Sequence, residues 1–302
     1  MRILRDTDVE RLLTPDLARA AMREAAVAAW RGELIAPPRV SADLDGSRLT
    51  FTCGARPGHW FGYRSYIAPG DAHQDQVVVV QDEASGAVLG MAVGEALGPC
   101  RVGAIGAAAL DALGPQAPER IALVGAGTQA WHQLWALPDR FRGTPIHVHS
   151  RTTRTAFAER ARTELGLDVR PAETVEAAVR DADVVILATS ARQPVLAADL
   201  VRPGAYVTTL GPKQVGRSEF DPSLARDAAM VVSDSPQQVQ AYDPPNVLVG
   251  SAIENDIVHV GAVLAGERPV PEGTTVFFSV GLAGTEAWLL HALLTSGVGQ
   301  EG

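Results

Sequence analysis

Two cysteines, one lysine and no long uncharged apolar run: the 302-residue chain is short of all three. Cys53 and Cys100 are too few for a disulfide framework or a cysteine zinc site, so free thiols are expected. No apolar stretch approaches the roughly 18 residues of a membrane span, and the opening MRILRDTDVERLL carries charges where a secretory leader needs an apolar segment. A cytoplasmic location with no membrane partner is expected. Basic residues number 26 against 35 acidic ones, a formal charge of −9 that repels phosphate backbones, so no nucleic-acid partner is expected either. Lys213 is the only lysine among those 26; elsewhere this chain uses arginine wherever it needs a fixed positive charge.

What is present describes a globular protein. Hydrophobic residues make up 46% and charged ones 20%, too apolar for intrinsic disorder, and the length favours two domains at roughly 100–200 residues each. The periodicity changes near residue 115. Before it, 7–30 carries apolar residues at helical spacing, strand-like segments follow at 48–53, 62–67 and 76–81, and the Ala-rich 98–113 reads as a helix starting just after Pro99. A helix leading into an antiparallel sheet is expected there. From Glu119 onward, β-branched runs at 121–124, 146–149, 183–188, 206–210 and 230–233 alternate with helical segments at 128–137, 152–165 and 175–180. Buried strands joined by helical crossovers indicate a doubly wound parallel sheet. The expected class is α/β: an N-terminal α+β domain over 1–114, a Rossmann domain over 115–275, and a segment 276–302, strand-like at 274–280 and helical at 285–294, that packs back on the first domain.

The run 121–124 leads directly into Gly125-Ala126-Gly127-Thr128-Gln129-Ala130 and then a helix. This is the G-x-G-x-x-A dinucleotide fingerprint, in which the glycines allow a tight turn and close backbone approach and the helix start offers N–H groups to a pyrophosphate. A site for NAD(H) usually has Asp or Glu at the end of the second strand. Here that place holds His149-Ser150-Arg151-Thr152-Thr153-Arg154, whose hydroxyls and guanidiniums suit a 2′-phosphate, so NADP(H) is favoured over NAD(H). His147 and His149 share one face of the strand, but no third ligand accompanies them and no metal site is expected.

In sequence order, Pro37-Pro38-Arg39, Gly62-Tyr63-Arg64, Gln81-Asp82-Glu83-Ala84-Ser85-Gly86, Gly98-Pro99-Cys100-Arg101, the dinucleotide loop, Ser150-Arg151, Ala188-Thr189-Ser190, 211–221 and Phe278-Ser279-Val280-Gly281 make the chain resemble the ornithine cyclodeaminase/mu-crystallin family. The resemblance implies an N-terminal domain that dimerises and holds substrate, completed by the C-terminal helix, and a Rossmann domain for a nicotinamide cofactor. It places Arg39, Arg64 and Arg101 on the positions that grip a substrate carboxylate, the family more often having lysine at the second. It also puts Gly125, Gly127, Thr128, Gln129, Ser150, Arg151, Thr189 and Ser190 around the cofactor, with Ser279 reaching the nicotinamide from the other domain. A small-molecule carboxylate substrate and a homodimer are the implied partners.

Two departures bear on the reaction. The family's Thr-Ala-x-Arg-Thr becomes Gly98-Pro99-Cys100-Arg101-Val102, and its Gly-Ala-Asp-x-Pro-Gly-Lys becomes Gly211-Pro212-Lys213-Gln214-Val215-Gly216-Arg217. Lys213 therefore stands where cyclodeaminases have their acid/base Asp, which weighs against cyclodeamination. The leading reading is an NAD(P)H-dependent oxidoreductase acting on the C–N bond of a small imino or amino acid. The alternatives are an ornithine-cyclodeaminase-like lyase using bound NAD, and a non-catalytic, crystallin-like protein that binds NADPH and a ligand. Lys213 is expected to be the general acid/base, its proton loosened by burial or by the three arginines, with carboxylate anchoring as a milder role. Trp60, Tyr63, Tyr66 and Phe51 either line a pocket or fill the core of the sheet.

Overall fold

The structure, a computed structural model, describes residues 1–68 and 75–296. The first half opens with strand β1 (Arg2–Arg5), then helices α1 (Asp6–Leu12) and α2 (Pro15–Trp30). The 7–30 periodicity is thus two helices, not one. Pro15 disfavours helical geometry at Thr14, and Thr14 then caps α2 by accepting the Leu17 amide at 3.2 Å. Ala18, Ala21, Met22, Ala25 and Ala26 form the buried stripe of α2.

Strands β2 (Val40–Leu44), β3 (Ser47–Arg56), β4 (Trp60–Ala68), β5 (Gln76–Asp82) and β6 (Val88–Gly94) complete a six-stranded sheet in the order β1-β6-β5-β4-β3-β2. It is antiparallel except that β1 runs parallel to β6, so the sheet is mixed. Helix α3 (Leu97–Leu113) follows. It begins before Pro99 rather than after it, because a proline in the first turn lacks only an N–H that would have no helical partner.

The second half carries β7 (Ile121–Val124), α4 (Thr128–Trp135), β8 (Ile146–His149), α5 (Arg154–Leu165), β9 (Val169–Pro171), α6 (Val175–Val179), β10 (Val184–Leu187) and β11 (Tyr206–Thr209). After these come the hairpin β12 (Lys213–Gln214) and β13 (Arg217–Ser218), then α7 (Pro222–Arg226), β14 (Met230–Ser233), α8 (Pro236–Gln240), β15 (Val258–His259), α9 (Val260–Leu264) and β16 (Thr275–Phe278). The larger sheet has the order β15-β14-β16-β11-β10-β7-β8-β9, all parallel. Every residue of β7, β10, β11, β14 and β16 is buried, as a sheet covered on both faces requires.

Strand β16 lies between β11 and β14, so the stretch from 276 begins inside the larger sheet rather than in a segment returning to the first half. Only after Ser279–Gly284 does the chain cross over, and α10 (Thr285–Thr295) then packs on β4, β5 and β6 and against α2.

The two halves are clamped where α3 crosses α4. A Cβ added to Gly103 would sit 2.2 Å from the His132 carbonyl oxygen. Glycine inside a helix costs about 1 kcal/mol against alanine, and here the backbone-to-backbone approach is the reason for it. The contact fixes the start of α3, with Arg101, beside the helix that follows the dinucleotide loop.

Candidate active site

The strands flanking β7 lead away in opposite chain directions, β8 on one side and β10 on the other. A doubly wound sheet opens its ligand crevice at such a reversal, beyond the carboxyl ends of the strands. A cavity of about 960 Å³ lies there, lined by Gly125, Gly127, Thr128, Gln129, Ser150, Arg151, Thr189 and Ser190, together with Arg192, Leu210 and Gly211. Eight of the nine residues expected around the cofactor thus meet in one space. Ser279, the ninth, is not on its wall. Ser279 follows β16 in the larger sheet, so it does not approach from the other half; its hydroxyl is 3.4 Å from Asp234.

The two loop glycines differ in what demands them. Gly125 has φ +114°, and a Cβ there would lie 2.1 Å from the Ala188 carbonyl oxygen, so the protein's own backbone requires it. Gly127 would meet no protein atom within 4 Å. Its missing side chain leaves room at the start of α4, where a pyrophosphate would be received, and the buried Gln129 Oε1 beside it has no hydrogen-bond partner. Both observations fit a dinucleotide. At the end of β8, Arg154 is paired with Glu173, whereas Arg151 is exposed and forms no ion pair among the described residues. Three potential metal ligands do not converge anywhere among those residues.

Of the expected substrate and catalytic residues, Lys213, Arg39 and Arg101 gather along Ser279–Gly281. Lys213 Nζ donates to the carbonyls of Gly211 at 2.7 Å and Ser279 at 3.0 Å. Arg39 donates to the Val280 carbonyl at 2.6 Å and lies over the Tyr242 ring. Arg101 comes up against Gly281, where a Cβ would be 3.4 Å from both terminal guanidinium nitrogens; glycine, at φ +91°, keeps that edge clear. Asp234 holds the segment in place by accepting the Val280 and Gly281 amides at 2.8 and 3.0 Å.

Arg64 and Arg101 meet at Glu286 on α10. Its Oε1 accepts from Arg64 Nη1 and, at 2.8 Å, from Arg101 Nε. Arg64 also donates through Nε to Gln76 Oε1 at 3.0 Å and lies 4.2 Å from the centre of the Tyr66 ring. The terminal nitrogens of Arg101 have no hydrogen-bond partner among the described residues, which leaves a bidentate edge free for a carboxylate. Burial alone would raise the Glu286 carboxyl, but Arg101 and Arg64 outweigh it and hold the group at about 2.

Lys213 is 1% exposed, not a surface loop residue, and it does not line the dinucleotide cavity. Burial pulls its ammonium down to about 8, opposed by Glu219 and Asp234 and assisted slightly by Arg39. Desolvation therefore does what the sequence expectation partly assigned to three arginines, and only one of those arginines contributes. Glu219 accepts the amides of Thr189, Leu210 and Gly211 and the hydroxyls of Thr189 and Thr209, tying the ends of β10 and β11 together under the cavity.

Of the four aromatic residues left open, Trp60 is core, packed against Trp288 and His291, while Phe51 and Tyr63 are on an exposed sheet face and Tyr66 is at the site. Glu286, Glu219 and Asp234 carry structural weight that sequence reasoning did not assign. The available signal was a carboxylate inside an otherwise apolar run, as in TEAWLLHALLT for Glu286.

Comparison with known proteins supplies the lineage. Residues 64–292 match the ornithine cyclodeaminase/mu-crystallin family. A ketimine reductase mu-crystallin of Mus musculus is 30% identical over 261 residues, covering 85% of this chain and 78% of that protein. An alanine dehydrogenase of Archaeoglobus fulgidus is 26% identical over 299 residues, covering 93% and 90%. The crystal structure of a probable ornithine cyclodeaminase from Bordetella pertussis Tohama I superposes with a TM-score of 0.87 at 26% identity, covering 97% of this chain and 96% of that one. With its Rossmann sheet, its second sheet closed by the C-terminal helix and a match over three quarters of its length, the chain belongs to the ornithine cyclodeaminase/mu-crystallin family.

Proposed function

We propose that this protein is an oxidoreductase that uses NADP(H) in preference to NAD(H) and acts on the C–N bond of a small imino or amino acid, as a homodimer. The observation that carries the reading is the open guanidinium edge of Arg101 beside Gly281, on the same short segment that receives Arg39 and Lys213, the lysine also donating to Gly211 on the wall of the cavity behind the glycine loop. Among relatives, the ketimine reductase and alanine dehydrogenase names both denote C–N redox activity. A nicotinamide at this site would supply or accept the hydride.

The chain's residues do the rest. Arg101 presents its free terminal nitrogens to the substrate carboxylate and so orients the neighbouring carbon, while Arg64 and Arg39, engaged by Glu286, Gln76 and the Val280 carbonyl, add positive charge around it. Lys213, drawn toward neutral by burial, gives a proton to the imine nitrogen in reduction and takes one in the reverse direction. Gly127 and the start of α4 would hold the pyrophosphate, with Thr189 and Ser190 on the same cavity wall, and Ser150 with Arg151 would hold a 2′-phosphate. The lyase reading loses its acid at Lys213, and the carboxylates nearest that lysine, Glu219 and Asp234, are occupied by backbone amides.

The dimer face is the outer side of β2–β4. Register places Val40, Leu44, Phe51, Tyr63 and Ile67 on one side of the sheet, each 38–70% exposed, and a second copy would cover them.

The test is a panel of imino and keto acids with NADPH. Net NADPH oxidation is expected. Ammonia release without net redox would favour the lyase, and ligand binding with neither would favour the non-catalytic reading.

A further inference from the structure

Among the described residues, the charges around the 279–286 segment can be paired off. Lys213 and Arg39 face Glu219 and Asp234, two positive groups against two negative ones. Arg64 and Arg101 share the single carboxylate of Glu286, and all three groups are buried. Two guanidiniums and one carboxylate leave one positive charge, and it sits at the open edge of Arg101. Uncompensated charge in a dry site is costly, so a ligand that cancels it is favoured over one that overshoots.

We propose that Glu286 is a specificity-determining residue that sets the charge of the accepted substrate: one carboxylate and an uncharged side chain, with dicarboxylates disfavoured. The inference rests on the carboxylate-binding reading above. Glu286 is suited to the part because it stays ionised at any working pH, with the two arginines holding it near 2. It also uses Arg101 Nε and Arg64 Nη1, so the remaining edge of Arg101 is the one turned to the ligand. The neighbouring Gln76 gives a second handle. Its Oε1 already accepts from Arg64, so a carboxylate of the same shape would add one negative charge without new contacts.

The experiment measures dissociation constants of pyruvate, a monoanion, and oxaloacetate, a dianion, by calorimetry on the full chain saturated with NADPH. Wild type is expected to prefer pyruvate. Glu286→Gln is expected to move the preference toward oxaloacetate by on the order of tenfold, and Gln76→Glu to move it the other way by a similar factor. Glu286→Asp is expected to keep the wild-type ratio. A purely structural role would weaken both ligands together and leave the ratio alone. An unchanged ratio in Gln76→Glu, or in folded Glu286→Gln, overturns the proposal, as does equal wild-type affinity for the two anions. Failure of wild type to bind either anion would instead remove the carboxylate reading on which the proposal stands.

Discussion

With its ammonium between two carbonyls and almost no solvent contact, Lys213 is a base whose charge the fold tolerates poorly. Unfolded, it titrates near the ordinary 10.5; folded, near about 8. Between those values the unfolded chain holds the extra proton, so raising the pH across that window favours the folded state. Melting temperature against pH is expected to show this rise in wild type and to lose it in Lys213→Met. In turnover, imine reduction is expected to fall as pH rises through about 8. Lys213→Met should lower kcat about 10²–10⁴-fold with cofactor affinity nearly unchanged. Full activity in that variant would take the lysine out of the mechanism, and activity kept by Lys213→Arg alone would reduce it to a fixed charge. Arg151 has a narrower role. Arg151→Ala is expected to weaken NADPH far more than NADH in direct titration, and equal losses would end the preference for the phosphorylated cofactor.

Among the elements, α3 has the most exacting placement. Its start carries Arg101 to Gly281, and Gly103 just beyond lies against the backbone of α4. Helix propensity alone makes Gly103→Ala stabilising by about 1 kcal/mol. The close crossing reverses the sign, because a Cβ 2.2 Å from a carbonyl oxygen forces the helices apart at a cost of about 1–3 kcal/mol. Urea denaturation of Gly103→Ala should show that loss, with a weaker KM for the carboxylate substrate as Arg101 shifts from its place. A variant as stable as wild type would mean that the two helices do not meet this closely. Strand β16 shows a related dependence: its TVFF sequence reads as a strand anywhere, and only its position between β11 and β14 brings Ser279–Gly281 against Lys213, Arg39 and Arg101.

For the molecule as a whole, the proposed homodimer is tested at the outer face of the smaller sheet. Sedimentation is expected to give a species of twice 31.8 kDa, and Phe51→Glu combined with Ile67→Glu should return it to the monomer mass. A wild-type chain that sediments only at 31.8 kDa at micromolar concentration would leave those apolar side chains without a dimer to explain them. No helix among the described residues is long and apolar enough to cross a membrane.

The sequence by itself determined the dinucleotide loop and the parallel alternation around it. Strand, glycine turn and helix start lie within ten residues of one another, and local backbone geometry answers to near neighbours. The Thr14-Pro15 break between α1 and α2 was equally local, in the form of a capping residue followed by proline, although helical periodicity on both sides concealed it. The resemblance brought Arg39, Arg64 and Arg101 together without showing how they are held. Only the tertiary structure decided that. Glu286 lies 222 residues from Arg64 and 185 from Arg101, and the packing of α10 on the first sheet turns three scattered charges into one site. Periodicity and spacing carry no record of such a contact, because its geometry comes from burying apolar faces far apart in the chain.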